Sequence, residues 1–313
     1  MLSQNLRIVT LLPSATEIVA ALGLADAIVG RSHECDYPAT IKNRPVCTEA
    51  QINSDKPSAQ IDDDINNLVK RALSIYQVKT DVLEQLQPTH IVTQDQCDVC
   101  AVNFDVVEKA VANLTNSQPQ IISLQPNLLT EVWADIERVA VILGVESQSL
   151  LNQLQSRVET CKQKTQEISE NERPTVACIE WTDPLMAAGN WIPELVTIAG
   201  GNPLFGALGK HSPYLEWDAL VKADPDVIIV MPCGFDLERT KQETQQMAHH
   251  SQWSTLQAVR QGKVFVTDGN GYFNRPGPRL VDSVEMIAEI LHPDLFTFGY
   301  QGTAWERFEV GNA

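Results

Sequence analysis

His33-x-Cys35 and Cys97-x-x-Cys100 are the residues best equipped for chemistry in this chain. Together they offer one imidazole and three thiols. Two residues between paired cysteines let both sulfurs reach one ion. An N/S set of four suits tetrahedral zinc, and iron is the other metal such donors accept. Cys47 is a candidate to join them. Cys100 also stands just before a helix expected from about Asn103, a position that lowers a thiol pKa and favours a thiolate nucleophile or reductant. The competing reading is that these are small packing residues, since one Cys-x-x-Cys without a second is weakly specific. Cys161 reads as a helix-face residue and Cys178 as a strand residue.

Other catalytic templates are missing. The sequence has no Gly-x-Ser-x-Gly elbow and no Walker-type phosphate loop. Gly200-Gly201-Asn202-Pro203 does not open a helix after a strand, so it is no dinucleotide fingerprint. The spacing of Glu180 and Asp183 has no specificity as an acid/base pair. His249-His250 lies in a polar stretch and reads as surface. No catalytic residue is assigned, and the expectation is a binding protein rather than an enzyme.

The elements that must position these groups alternate between strand and helix. An apolar run at residues 8–12 reads as a buried strand, Pro13-Ser14-Ala15-Thr16-Glu17 follows, and Thr16–Leu22 reads as a helix closed by Gly23. Residues 27–30 form the next strand. Such β-α-β alternation argues for parallel sheet with helices on its faces. In sheets of this kind ligands bind at the carboxyl ends of the strands. Ser14 follows the first strand, and His33, Cys35 and Tyr37 the second. Cys97 and Cys100 follow a strand at residues 91–93, and Trp181 one at 176–179. Cys233 and Phe235 follow 227–230, and Tyr272, Phe273 and Arg275 follow 264–267. Two lobes facing across these ends would form a cleft with polar, aromatic and thiol walls.

One internal repeat supports two lobes. Asp81 precedes Pro88 by seven residues and Asp218 precedes Pro225 by seven. In each case an apolar strand follows and runs toward a cysteine. The reading is a short helix, a proline-marked turn and a buried strand, once per lobe. Residues 128–143 are helix-like, and residues 146–170 carry no Gly or Pro and space their apolar residues by three, four and seven. A helix over that whole run would span about 37 Å. The expected domains are an α/β lobe over residues 1–127, a helical connector with one long bridging helix over 128–172, a second α/β lobe over 173–292, and an aromatic tail over 293–313 that packs on a surface.

Composition narrows the function. The 313 residues suggest about two domains at about 150 residues each. With 23 basic and 40 acidic residues the net charge is −17, a field that repels nucleic acid and anionic lipid. No run of 18 apolar residues is present, so no membrane-embedded helix is expected. The first residues show no basic region, isolated apolar core or cleavage site. The expectation is a cytoplasmic protein, with a periplasmic one as the alternative if the start is misassigned. In a reducing cytosol the seven cysteines would be free thiols or metal ligands.

Four features resemble one family. They are Arg7-Ile-Val-Thr-Leu-Leu-Pro-Ser-Ala-Thr-Glu17, Cys35-Asp36-Tyr37-Pro38, the Leu-x-x-x-x-Pro-x-x-Ile-Val pattern once per lobe (Ile-Ile in the second), and Tyr272-Phe273-Asn274-Arg275-Pro276-Gly277-Pro278-Arg279. The chain resembles the substrate-binding proteins of cobalamin and iron-chelate ABC transporters over about residues 6–292, and the cobalamin branch most closely. The resemblance implies two α/β lobes joined by one long rigid helix, with ligand held in the interlobe cleft. It implies cobalamin as ligand, with Tyr37 against one corrin face and Tyr272, Phe273 and Arg275 on the opposite wall. Trp181 is a further wall candidate. His33 or a thiolate could then contact the cobalt. Exported members dock on permease arginines through one surface Glu per lobe. Asp81 and Asp218 stand at those positions, one methylene shorter, and the simpler reading is that each caps a helix. A cytosolic iron, haem or zinc binder and a thiol-dependent tetrapyrrole-processing enzyme are the alternatives.

Overall fold

The computed structural model describes residues 6–70, 75–95 and 104–309. Cys97 and Cys100 lie outside the described residues. The chain divides into two compact units. Unit 1 comprises Met1–Lys56, Gln60–Pro126 and Thr130–Asn152; unit 2 comprises Pro57–Ala59, Asn127–Leu129 and Gln153–Ala313.

Unit 1 is built on a parallel sheet. Its strands are β1 (Ile8–Thr10), β2 (Ile28–Arg31), β5 (His90–Gln94) and β6 (Gln120–Leu124), in the order β2-β1-β5-β6. Between them in sequence, β3 (Thr48–Ala50) and β4 (Tyr76–Val78) form a separate antiparallel pair. Ile8, Val9, Ile91 and Val92 are wholly buried. A strand covered on both faces carries a continuous apolar run, which is why these segments read as strands without alternation. The parallel order needs crossovers. They include α1 (Pro13–Val19), α2 (Ser58–Lys70), α3 (Thr80–Leu86) and α4 (Phe104–Ala112).

Two further helices carry the chain onward. Helix α5 (Leu129–Leu143) ends at Gly144, whose φ of +73° supplies the left-handed residue that closes a helix. Helix α6 (Gln148–Thr165) holds the passage from unit 1 to unit 2 within its length. At 18 residues it is about 27 Å long, shorter than the run 146–170 suggests. The Thr165 hydroxyl donates to Lys162 O and Ile198 O, and Arg173 Nη2 reaches Thr165 O at 3.0 Å. Ser169 and Glu172 then form a capping box around a separate short turn.

The sheet of unit 2 is mixed. Strands β7 (Thr175–Thr182), β9 (Asn202–Leu204), β10 (Val227–Val230) and β11 (Val264–Thr267) are parallel. Strands β8 (Leu185–Ala187) and β12 (Trp305–Arg307) pair antiparallel with β7 and β11. A two-residue turn at Asp183-Pro184 joins β7 to β8, and so short a link permits only an antiparallel partner. Helices α7 (Ile192–Ile198), α8 (Trp217–Ala223), α9 (Leu237–Met247), α10 (Gln257–Arg260) and α11 (Leu280–Leu291) complete the unit.

The repeat takes the same form twice. Helices α3 and α8 each have seven residues and end on a left-handed residue, Gln87 (φ 44°) and Asp224 (φ 42°). A proline and a buried parallel strand follow each time. The aromatic tail does more than pack. It supplies β12, and Phe296, Trp305 and Phe308 are buried. Glu289 of α11 accepts the backbone N–H of Phe298, Gly299 and Tyr300 and the Trp305 indole N–H. Among the described residues no helix is long and apolar enough to cross a membrane.

Candidate functional site

The carboxyl end of β2 carries a polar cluster in unit 1. His33 N and Nδ1 lie 3.1 and 2.8 Å from the Thr48 hydroxyl, which donates to Ser32 Oγ at 3.1 Å. The imidazole packs on Tyr76, with ring centroids 5.4 Å apart. Tyr76 donates to Glu34 at 3.1 Å. Burial, then Lys79 and Arg31, push the His33 pKa down, with Glu49 acting the other way. Tyr37 is 48 % exposed, a large aromatic surface at this strand end.

Other expected residues of unit 1 are turned inward. Cys35 is buried and its sulfur accepts from Thr16 Oγ1 at 3.0 Å, beside a 2.6 Å Thr10–Thr16 hydroxyl contact. This places the thiol under α1 rather than on a wall. Ser14 is 1 % exposed, and its hydroxyl has no partner among the described residues. Burial pushes the Cys47 thiol up to about 12, so it is no thiolate. Among the described residues no group of three His, Cys, Asp or Glu side chains is placed to hold a metal ion. Half of the expected metal set, Cys97 and Cys100, lies outside them.

Unit 2 presents an aromatic arrangement at its own strand ends. Trp181 lies within β7, not after it, because its backbone pairs with Met186 of β8. Its ring meets Phe235 at 5.2 Å, and the Arg239 guanidinium lies 5.0 Å from the Phe235 centroid. Arg239 is held by Glu243 at 2.8 Å, one helical turn further along α9. Glu243 also accepts from Ser58 at 2.8 Å and from Thr182 at 3.3 Å. This buried network backs the aromatic pair. The i, i+4 spacing of Arg239 and Glu243 is its only sequence signal. Trp181 Nε1 is buried without a partner among the described residues.

The loop after β11 adds a second aromatic. Tyr272 is half-buried, with the Arg279 guanidinium 4.9 Å from its centroid and Tyr300 edge-on at 6.5 Å. Arg275 is buried and donates to Asn270 Oδ1 at 3.0 Å. Phe273 is wholly buried, so its ring is core and not wall. The Trp191 indole N–H fixes that turn by donating to Phe273 O at 2.9 Å. Cys233 is half-buried, and its N–H donates to Glu180 O at 3.3 Å.

Gly269 leaves this loop no slack. A Cβ there would stand 2.2 Å from Pro232 O and 2.8 Å from Met231 O. Gly269→Ala therefore drives the ends of β10 and β11 apart, at a cost of about 1–3 kcal/mol for overpacking. Thermal unfolding should show a clearly lowered midpoint, and an unchanged midpoint would contradict the close approach.

Asp81 and Asp218 are each the second residue of their helix, and both are exposed. The residues at the N-cap positions are Lys79 and Glu216, and neither side chain makes a capping bond among the described residues. Asp218 accepts from Gln252 Nε2 at 2.9 Å.

Known proteins match this chain over most of its length. Residues 8–270 match the family described as periplasmic binding protein. An uncharacterised ABC transporter substrate-binding lipoprotein of Bacillus subtilis is 25 % identical, over 93 % of this chain and 81 % of its own. A vitamin B12-binding protein of Vibrio cholerae is 22 % identical, over 91 % and 88 %. In structure, a periplasmic heme binding protein from Pseudomonas aeruginosa superposes with a TM-score of 0.71 at 16 % identity, covering 92 % of this chain and 93 % of that one. The family match overturns the cytoplasmic placement expected from the first residues, because the family works outside the cytoplasm. The argument that a reducing cytosol keeps the cysteines free falls with it.

Proposed function

Because the chain belongs to the periplasmic binding protein family, we propose that it is an extracytoplasmic receptor for a corrinoid, serving an ABC permease. It is a substrate-binding protein and not an enzyme. The carrying observation is the aromatic surface flanked by fixed cations at the strand ends. Trp181 packs on the buried Phe235, whose centroid lies 5.0 Å from the Arg239 guanidinium, and Tyr272 has Arg279 over it. A corrin ring has a broad apolar face and a rim of amides. Aromatic faces meet the first, and a few fixed donors meet the second.

Arg275 is a buried rim donor in this reading, already oriented by Asn270. The vitamin B12-binding protein of Vibrio cholerae, similar along nearly the whole chain, supports the same ligand class. Asp81 and Asp218 are the contacts for basic side chains of the permease. They are exposed, and they occupy equivalent positions in the two copies of the repeat. Reversing both charges should abolish uptake by the reconstituted transporter and leave ligand affinity unchanged.

The ligand class is tested by quenching of tryptophan fluorescence with cyanocobalamin, haemin and a ferric siderophore in turn. Cyanocobalamin should saturate at one equivalent with micromolar or tighter affinity, about −8 kcal/mol. Saturation by haemin or the siderophore alone would move the protein to another branch of metal-chelate binders.

A further inference from the structure

We infer that Tyr300 is a positioning residue for ligand binding: it holds the Tyr272 ring in the orientation that meets the corrinoid. This role rests on the corrinoid reading above and gives the aromatic tail a part in it. Every group involved belongs to unit 2.

Tyr300 is fixed at both ends. Its backbone N–H donates to Glu289 Oε2 at 3.2 Å. Its hydroxyl lies 2.8 Å from Glu285 Oε2 and 3.1 Å from Asp282 Oδ1, with one proton to serve the two. Arg157 grips both carboxylates in turn. Its Nε donates to Glu285 Oε1 at 2.9 Å, and its Nη2 to Glu285 Oε2 at 2.6 Å and to Asp282 Oδ1 at 2.5 Å. A fork of this kind is how arginine holds a carboxylate most firmly. Burial, then Asp282 and Glu285, push the Tyr300 phenol pKa up, so the hydroxyl stays a donor.

Tyr272 has no such anchors of its own. It stands on the short turn Gly269–Phe273, whose backbone Asp268 fixes by accepting Gly271 N–H at 2.6 Å. Phe273, next in the chain, is wholly buried and is held by the core. Tyr272 is half-buried and takes its orientation from two neighbours. The Tyr300 ring meets it edge-on at 6.5 Å with 74° between the planes, and the Arg279 guanidinium lies 4.9 Å from its centroid. Both supports are referred to one helix. Arg279 is the N-cap of α11, and Asp282, Glu285 and Glu289 stand three and four residues apart along one face of it. Apolar packing alone would bury a tail that already offers Phe296, Trp305 and Phe308. Directed bonds add a set angle, and a ring held at that angle loses less freedom when ligand arrives.

The test is a double-mutant cycle read by calorimetric titration with cyanocobalamin, beside thermal melts. Tyr300→Ala should weaken binding by about two- to tenfold, the worth of an edge-to-face ring pair. Tyr300→Phe keeps the ring and loses only the hydroxyl; it should show a smaller loss of the same kind, and it carries the test should the alanine variant fail to fold. In a Tyr272→Ala background neither substitution should change affinity by more than about twofold, because the ring they position is gone. Tyr272→Leu serves as the background if alanine leaves no measurable affinity. Equal losses in both backgrounds would show that Tyr300 supports the fold alone and would overturn the inference. Wild-type affinity in both Tyr300 variants would overturn it too. Either result leaves the corrinoid reading standing. No binding of cyanocobalamin to the wild-type protein would overturn both.

Discussion

Trp181→Ala should weaken cyanocobalamin binding by about ten- to a hundredfold. A tryptophan buries roughly 150–250 Å² against a partner and adds about 0.5–1.5 kcal/mol from ring geometry alone. Truncating a central aromatic anchor often costs about 2 kcal/mol or more, hence the range given. The ring is prepared for this contact. Phe235 supports it at 5.2 Å, and the Arg239 guanidinium, paired with Glu243, lies 5.0 Å from the Phe235 centroid. Phe235→Ala should act on affinity less directly. That ring is 5 % exposed, so its loss costs fold stability first. Calorimetry beside a thermal melt separates the two. An unchanged affinity in Trp181→Ala, with a normal melt, would remove the aromatic surface from the site.

Glu289→Ala should destabilise unit 2 by about 3–5 kcal/mol. The carboxylate is buried and accepts four N–H groups, three from the backbone of residues 298–300 and one from the Trp305 indole. Bonds to a charged acceptor are each worth about 1.5–3 kcal/mol, and donors left buried add their own penalty. Water can reach part of the segment once it loosens, which keeps the total well under the sum. The melting midpoint should fall by roughly 10 °C. Amide exchange should accelerate across residues 298–307, because β12 loses its anchor. Glu289→Gln keeps one acceptor oxygen and should fall between. A midpoint and exchange pattern equal to wild type would show that the tail is held by its aromatics alone.

The central strands were legible because burial on both faces leaves an unmistakable signature. Ile8-Val9 and residues 227–230, Val-Ile-Ile-Val, have no other reading. The turn before each repeated strand was legible too, since proline marks it and helices α3 and α8 must stop ahead of it. Strands β8 and β12 were not. Three residues carry no period, and their antiparallel pairing comes from a short turn in one case and from the Glu289 anchor in the other. The residue types of the site were visible, but not which way each would face. Phe273 and Tyr272 are neighbours of similar chemistry. The Trp191 indole N–H donates to the backbone carbonyl of the first, whose ring is core, while the second stays half-exposed. Thr48 left no signal at all, because a hydroxyl on a three-residue strand is ordinary until His33 is seen against it. The location was misread because it leaned on the first few residues, while the family relationship is spread across residues 8–270.

The most direct measurement is a calorimetric titration of the wild-type protein with cyanocobalamin. A single site with stoichiometry near one and micromolar or tighter affinity is the result expected of a corrinoid receptor. Absence of heat with cyanocobalamin, in a sample that takes up haemin or a ferric siderophore, would contradict it.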